Sequence, residues 1–438
     1  MMAEKPTTTE ARVGLSSEVL IQGKLEIILD NASNSRKPFV LFDDDGDGIC
    51  AFLQLYKFFE LRRVDLSNRW SVLIKKRPVI ENRLLDIIGD KEVDKVFILD
   101  IVGAEEKFFR GISNNGHDNK KPKVQDIIWI DHHNIGKENQ NLLNKKITYI
   151  NPRINNIGFK PPYFPTSAMM YEAFKQDSWI AAIGYLSDGA LPLALVDLTV
   201  EYPELIENIQ NRTDLLKGQS NLREFILWNK YGAPSNKTND LLNYIREETI
   251  LGDLIKIFNY ALKGTESDKR QNIKLLTKID NPYQLFDKNR ITPEGKRLIK
   301  YYLKIKAKYE EMQRNARNNV QNLSGILYYD VKQEKYDFMT QIATKFISES
   351  QASILIVADE DAAIGDNAYI EMSLRALKED LTKIIKNIEM KFREKYPKEE
   401  RIFSGGGHST AAGASIKKKY LPEFKRYIRE MRIELAFS

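Results

Sequence analysis

Carboxylates and imidazoles recur in this chain directly after apolar runs. Ile127-Ile128-Trp129-Ile130 stops on Asp131-His132-His133, and Pro38-Phe39-Val40-Leu41-Phe42 runs into Asp43-Asp44-Asp45-Gly46-Asp47-Gly48. Lys95-Val96-Phe97-Ile98-Leu99 stops on Asp100, and the apolar stretch Trp179 to Leu186 is followed by Ser187-Asp188-Gly189. Aspartate oxygens together with imidazole nitrogens suit a borderline metal such as Mn²⁺, and the absence of thiolates argues against structural zinc. Four or more carboxylates and an imidazole exceed what one ion needs, so two ions bridged by a shared aspartate are expected. A pair about 3.5–4 Å apart activates water and stabilises both the attacking and the leaving oxygen of an in-line phosphoryl displacement. Phosphoester hydrolysis is the chemistry this predicts. Nucleophilic Ser/His or Cys/His catalysis is disfavoured, because no serine sits in a nucleophile elbow and Cys50 falls inside a helical pattern.

The elements that must position these groups read as α/β. A short run of bulky apolar residues is a buried strand of a parallel sheet, and such sheets carry their chemistry just past the carboxyl ends of their strands. Pro38–Phe42, Ser71–Lys76, Lys95–Leu99 and Ile127–Ile130 are the expected strands, with helical patterns over Glu18–Leu29, Ile49–Leu61 and Ile80–Ile88. Strand, acidic glycine turn and helix make half of a βαβ unit. A parallel sheet would bring Asp45/Asp47, Asp100 and Asp131 to one edge, with Asp188 as a fourth position. Met1–Ser17 lacks periodicity and reads as a mobile tail. Tyr149 opens a loop rich in Asn, Pro and Gly, and Thr166–Phe174 is a short helix.

From about Ala190 to Asn289 the patterns are helical and polar, for example Leu251-Leu254-Ile255-Phe258, with no legible chemistry. Thr292-Pro293 then caps a helix reaching about Asn319, roughly 40 Å long at 1.5 Å per residue. It carries Lys296, Arg297, Lys300, Lys304, Lys306, Lys308, Arg314 and Arg317, a solvated face or a track for phosphates. A second α/β unit closes the chain. Its strands are expected over Gly325–Asp330, Ser353–Ala358 and Ala368–Leu374, the last leading to Arg375, with helices over Phe338–Ile347, Leu377–Phe392 and Leu421–Ala436. Between the last two helices, Gly405-Gly406-Gly407-His408 is expected to form a nest whose backbone N–H groups hold phosphate oxygens, with Ala411-Ala412 compatible with a following helix.

The 438 residues are too many for one ordinary core. With 42% hydrophobic and 29% charged residues the chain is a globular protein, and neither a membrane span nor a signal peptide is visible. The lone cysteine fits a reducing, cytoplasmic location and a small core residue. A net charge of +6 permits a polyanionic partner without demanding one.

Taken together, Asp45-Gly46-Asp47-Gly48, Asp100, Asp131-His132-His133 and Asp188 resemble the four successive motifs of the DHH phosphoesterase family. Ser404–Gly413 resembles the glycine-histidine motif of the DHHA1 domain in its RecJ-like branch. The resemblance implies an N-terminal parallel-sheet DHH domain and a smaller C-terminal α/β DHHA1 domain, facing each other across a cleft and joined by a long helix. The divisions expected are a tail over 1–17, a DHH catalytic domain over 18–195, a helical region over 196–291, a connecting helix over 292–322 and a DHHA1 substrate-binding domain over 323–438.

The resemblance further implies two divalent ions, Mn²⁺ in preference or Mg²⁺, held by Asp45, Asp47, Asp100, His132 and Asp188, with Asp100 as the bridge. His133 would touch the scissile phosphate and Asp131 would orient a histidine, while Arg375, Gly405, Gly406, Gly407 and His408 would hold substrate phosphates. Many family members have a histidine four residues before the first motif aspartate; here that position is Leu41, and Asp43 is the candidate replacement ligand. A RecJ-like exonuclease on single-stranded DNA or RNA is the activity implied, with replisome proteins such as GINS as possible partners. The alternatives are a nanoRNase or cyclic-dinucleotide phosphodiesterase, and a Cdc45-like replisome scaffold with little or no catalysis. The basic connecting helix favours a longer strand, because Lys and Arg contacts to the backbone give sequence-independent affinity.

Overall fold

Pro38–Phe42 (β1) is apolar at every position because both faces of its strand are covered. The computed structural model describes residues 22–72, 79–80, 93–104, 108, 126–133, 143, 147–152, 164–189, 194–212, 214–215, 222, 236–331, 336, 338–350, 352–361, 363, 365, 368–377, 379–399, 402–407 and 409–436. The expected tail over 1–17, His408 and all but the first residue of the helix expected over Ile80–Ile88 lie outside them.

Two units result: Met1–Leu262 with Glu266–Tyr302, and Lys263–Thr265 with Leu303–Ser438. In the first, β1, Trp70–Val72 (β2), Lys95–Leu99 (β4), Asp126–Ile130 (β6) and Ile147–Ile150 (β7) form a parallel sheet in the order β2-β1-β4-β6-β7. Val79–Ile80 (β3) and Gly103–Ala104 (β5) make a separate parallel pair. Strand residues alternate between two cores. Val40, Phe42, Phe97, Leu99, Ile128 and Ile130 pack with the helix Gly46–Leu61, and Phe39, Leu41, Val96, Ile98, Ile127 and Trp129 pack on the opposite face. Covering both faces is what lets the strands be apolar throughout. The chain leaves β1 toward β2 on one side and later returns to β4 on the other. The gap between β1 and β4 at their carboxyl ends is therefore the topological switch point where such sheets bind ligands.

One expectation differs. β7 stands where a loop was expected from Tyr149: Ile147 and Ile150 are buried, and the Asn-Pro signal begins only after the strand has ended. The Trp179–Leu186 stretch is a helix, Ser178–Ser187, buried on every side apart from its last residue, which is why it shows no amphipathic period. The segment with no legible chemistry is not apart from this unit, since Leu241, Ile245, Leu251, Leu254 and Phe258 join the same core as β1. Cys50 is buried in the helix Gly46–Leu61, where burial pushes its thiol well up.

The helix Pro293–Asn318 begins in the first unit and continues into the second, and the Thr292 hydroxyl caps it by accepting the Gly295 N–H at 3.1 Å. The second unit is built on a six-stranded sheet of Val320–Leu323 (β8), Ile326–Asp330 (β9), Ile354–Ala358 (β10), Tyr369–Ala376 (β11), Phe403–Gly407 (β12) and Ala411–Lys417 (β13). Its order is β12-β13-β11-β10-β9-β8, antiparallel except between β9 and β10. The glycine run is not a nest. Gly405, Gly406 and Gly407 pair with Ala414, Gly413 and Ala412 as an edge strand, and Ala411-Ala412 begin a strand rather than a helix. Small residues on both strands let the ladder form, and a side chain at Gly407 would lie 2.5 Å from the Ala411 carbonyl oxygen. Phe424, Tyr427 and Ile428 of the helix Leu421–Ala436 close this core.

Candidate metal centre

The turn after β1 supplies three acids that face the switch point. Asp45 caps the helix Gly46–Leu61, its Oδ1 accepting the Gly48 N–H at 3.0 Å, and Asp47 lies in the first turn of that helix. Two glycines permit this. A Cβ on Gly46 would sit 2.2 Å from the Ser187 hydroxyl oxygen, and one on Gly48 would sit 2.6 Å from the Asp43 carbonyl oxygen. Gly46 thus lets the turn press against the end of the helix Ser178–Ser187, which carries Asp188 immediately after it.

The helix Thr166–Phe174 points its N-terminus at Asp47. The Thr166 and Ser167 N–H groups donate to its two carboxylate oxygens at 2.7 and 2.9 Å, and the Ser167 hydroxyl also donates to it. Asp100 follows β4 in the left-handed backbone region, at φ 61°, a conformation aspartate tolerates better than most side chains. Its Oδ1 accepts from the Thr166 hydroxyl at 3.3 Å.

At the end of β6, His132 is central: its Nε2 lies 3.2 Å from Asp100 Oδ1, 3.4 Å from Asp188 Oδ2 and 3.8 Å from Asp47 Oδ2. Asp131 turns instead toward His133. Its Oδ1 lies 2.7 Å from His133 Nδ1 and accepts the His133 backbone N–H at 3.2 Å, while its Oδ2 accepts the Tyr149 hydroxyl at 3.0 Å. Asn151 locks the arrangement by donating to the His133 carbonyl at 2.8 Å and the Tyr149 oxygen at 2.9 Å.

Among the described residues the donor atoms fall into three overlapping groups, each within 4.8 Å: Asp43, Asp45 and Asp100; Asp47, His132 and Asp188; and Asp100, His132 and His133. Among the described residues, the buried oxygens Asp100 Oδ2 and Asp188 Oδ2 have no hydrogen-bond partner. Carboxylate oxygens left in this way beside a buried imidazole are suited to divalent cations, so the residues fit the implied metals. Asp43, singled out because Leu41 stands where many relatives have a histidine, belongs to the first group. Leu41 itself is buried in the core on the other face of the sheet.

Electrostatics point the same way. Burial, then the Asp188 charge, holds the Asp47 carboxyl well above the usual range; burial, then Asp47 and Asp45, does the same to Asp100. For His133, burial pulls the imidazole down, but the bond to Asp131 and its charge outweigh this and raise it to about 9. A carboxyl whose folded pKa exceeds its unfolded value binds more protons when folded, so its contribution to stability falls as pH rises between the two values. Metal-free Asp100→Asn protein is therefore expected to be more stable than the wild type at pH 7. That advantage should disappear as pH falls to about 4, the unfolded carboxylate value. Denaturant unfolding of both proteins across this range checks it, and a variant less stable at neutral pH would contradict it.

Of the phosphate-binding residues expected in the second unit, Arg375 lies on β11, its Nη1 donating to the Leu374 carbonyl at 2.8 Å and its Nε to the Thr344 hydroxyl at 3.1 Å. Gly407 pairs with Ala412, which pairs with Leu374, so the glycine strand and Arg375 share one end of the sheet with β13 between them. Thr166, Ser167, Tyr149 and Asn151 were missed by sequence reasoning. Only Thr166, at the start of an expected helix, carried a signal that could have found it.

No protein-family model matches the chain, and no curated protein does. Solved structures do. RecJ from Thermus thermophilus, in complex with Mn²⁺, matches with a TM-score of 0.56 at 14% identity, covering 94% of this chain and 55% of RecJ. The chain has the RecJ-type DHH fold. It spans about half the length of that RecJ. The same DHH fold is found in the DHH domain of a protein described as a member of the s1p family of ribosomal proteins (TM-score 0.55, 14% identity, 97% of this chain and 92% of that one). An exonuclease RecJ bound to manganese also shares it (TM-score 0.53, 13% identity, 94% of each chain).

Proposed function

We propose that the protein is a metal-dependent phosphodiester hydrolase, a RecJ-like exonuclease acting on single-stranded DNA or RNA. The observation that carries this is the convergence of Asp43, Asp45, Asp47, Asp100, His132 and Asp188 at the switch point of the parallel sheet. Asp43, Asp45 and Asp100 would hold one divalent ion and Asp47, His132 and Asp188 a second, with Asp100 shared. Two such ions, Mn²⁺ or Mg²⁺, supply Lewis-acid stabilisation of the charge that develops in phosphoryl displacement.

The protein's own groups do the rest. Asp131 and Tyr149 fix the His133 ring, and Asp131 keeps it protonated to about 9, so the ring can donate a charge-assisted hydrogen bond to a phosphate oxygen. The helix N-terminus at Thr166 orients the two Asp47 carboxylate oxygens and offsets part of the cost of charging them. In this reading 18–195 is the catalytic domain, 196–291 a helical region, 292–322 a connecting helix and 323–438 the domain whose Arg375 and Gly405–Gly407, with His408, bind substrate phosphates. A strand rather than a dinucleotide is favoured by the exposed basic residues of the helix Pro293–Asn318, among them Lys296, Arg297, Lys300 and Lys304.

The test is a gel assay with single-stranded DNA and RNA labelled at either end, with Mn²⁺ or Mg²⁺ and with a chelator. Stepwise shortening of the strand that needs the metal is expected. Binding without any cleavage would replace this reading with a noncatalytic scaffold, and cleavage confined to dinucleotides would restrict it to the short-substrate alternative.

A further inference from the structure

Three successive helices, none of which carries a motif, each send one polar side chain to a turn that bears candidate ligands. Arg246, on Asn236–Glu248, donates from Nε to the Leu186 carbonyl at 3.1 Å, at the end of the helix that precedes Asp188. Asn259, on Ile250–Ala261, reaches the Ser187 hydroxyl at 3.5 Å. Lys269, on Glu266–Leu276, makes a short ion pair with Asp44.

The last is the unusual one. The Lys269 and Asp44 side chains are only 9% and 7% exposed, and they are separated by 225 residues. Asp44 lies between Asp43 and Asp45, whose carboxylates group with Asp100. The backbone bends at Asp44 and Asp45, and the Asp44 N–H donates to Asp43 Oδ1 at 2.9 Å, so holding Asp44 in place constrains the two neighbours bonded to it in the same bend. Removing two charges from water is costly. A chain that needed only a filled core here would do as well with apolar residues of similar volume.

From this we infer that Lys269 is a positioning residue of the metal centre. By pinning Asp44 it aims Asp43 and Asp45 at the ion they share with Asp100, and the helical segment 236–276 thereby sets the site's metal affinity. The inference rests on the two-metal reading above. Groups that orient ligands from outside the coordination sphere commonly change metal affinity about 10–100-fold when altered.

The experiment uses the full-length Asp44→Leu/Lys269→Met protein, which replaces the pair by apolar side chains. Mn²⁺ binding is measured by calorimetry, the spin coupling of bound Mn²⁺ by electron paramagnetic resonance, and metal-free stability by denaturant unfolding. The expected result is near wild-type metal-free stability with affinity for at least one Mn²⁺ weakened about tenfold or more and loss of the coupled-pair signal. Two Mn²⁺ bound with wild-type affinity and coupling would overturn the inference while leaving the hydrolase reading intact. Absence of Mn²⁺ binding by the wild type would overturn both. Should the double variant not fold, Asp44→Asn, which keeps the shape and one acceptor for the lysine, serves instead: several-fold weaker Mn²⁺ binding is expected, and wild-type binding would count against the positioning role.

Discussion

Asp100→Asn is expected to lower metal-dependent hydrolysis by roughly 10²–10³-fold, the scale on which removal of preorganised charge stabilisation acts. Among the described residues, Asp100 belongs to two of the three donor groups, and its Oδ2 is buried without a hydrogen-bond partner. An asparagine there offers one oxygen and no charge, so it cannot serve two cations. The same change removes a buried charge that repels Asp47 and Asp45, which is why stability at neutral pH is expected to rise while activity disappears. That opposition separates a ligand from a structural residue. Steady-state rates with Mn²⁺ beside metal-free unfolding measure it, and turnover within tenfold of the wild type would remove Asp100 from the centre.

Lys269→Met alone is expected to destabilise the first unit strongly while leaving its hydrophobic core untouched. It deletes one half of a buried ion pair and leaves Asp44 charged and 7% exposed, a change that typically costs about 3–5 kcal/mol. Asp44→Leu/Lys269→Met should recover most of that loss, because the buried carboxylate that faced the lysine is removed with it. Denaturant midpoints of the three proteins give the comparison. A loss below about 1 kcal/mol for the single variant would mean that Asp44 finds water or a proton at little cost.

How far the sequence could be read follows from where its information is local. β1, β4 and β6 are short apolar runs that end on acids, and nothing beyond neighbouring residues was needed to place Asp45, Asp100 and Asp131 at strand ends. The division of labour between His132 and His133 was not local. It depends on Tyr149 and Asn151, which lie on and after a strand whose polar half-exposed middle hid it. Gly405–Gly407 misled for a related reason: glycine allows a nest, but β13 offers a ladder, and the partner strand decides. Lys269 was invisible because a lysine in a polar helix looks solvated until the turn it meets, 225 residues away, is folded against it.

That separation also orders events in time. Closing a loop of this length comes late, after contacts nearer in sequence have formed. A nascent chain released as far as Asp188 holds every candidate ligand and every strand of the first sheet, yet it lacks the lysine that pins Asp44. If Lys269 positions the site, full metal affinity would be acquired only once Glu266–Leu276 has left the ribosome, and a half-made chain would compete weakly for divalent cations.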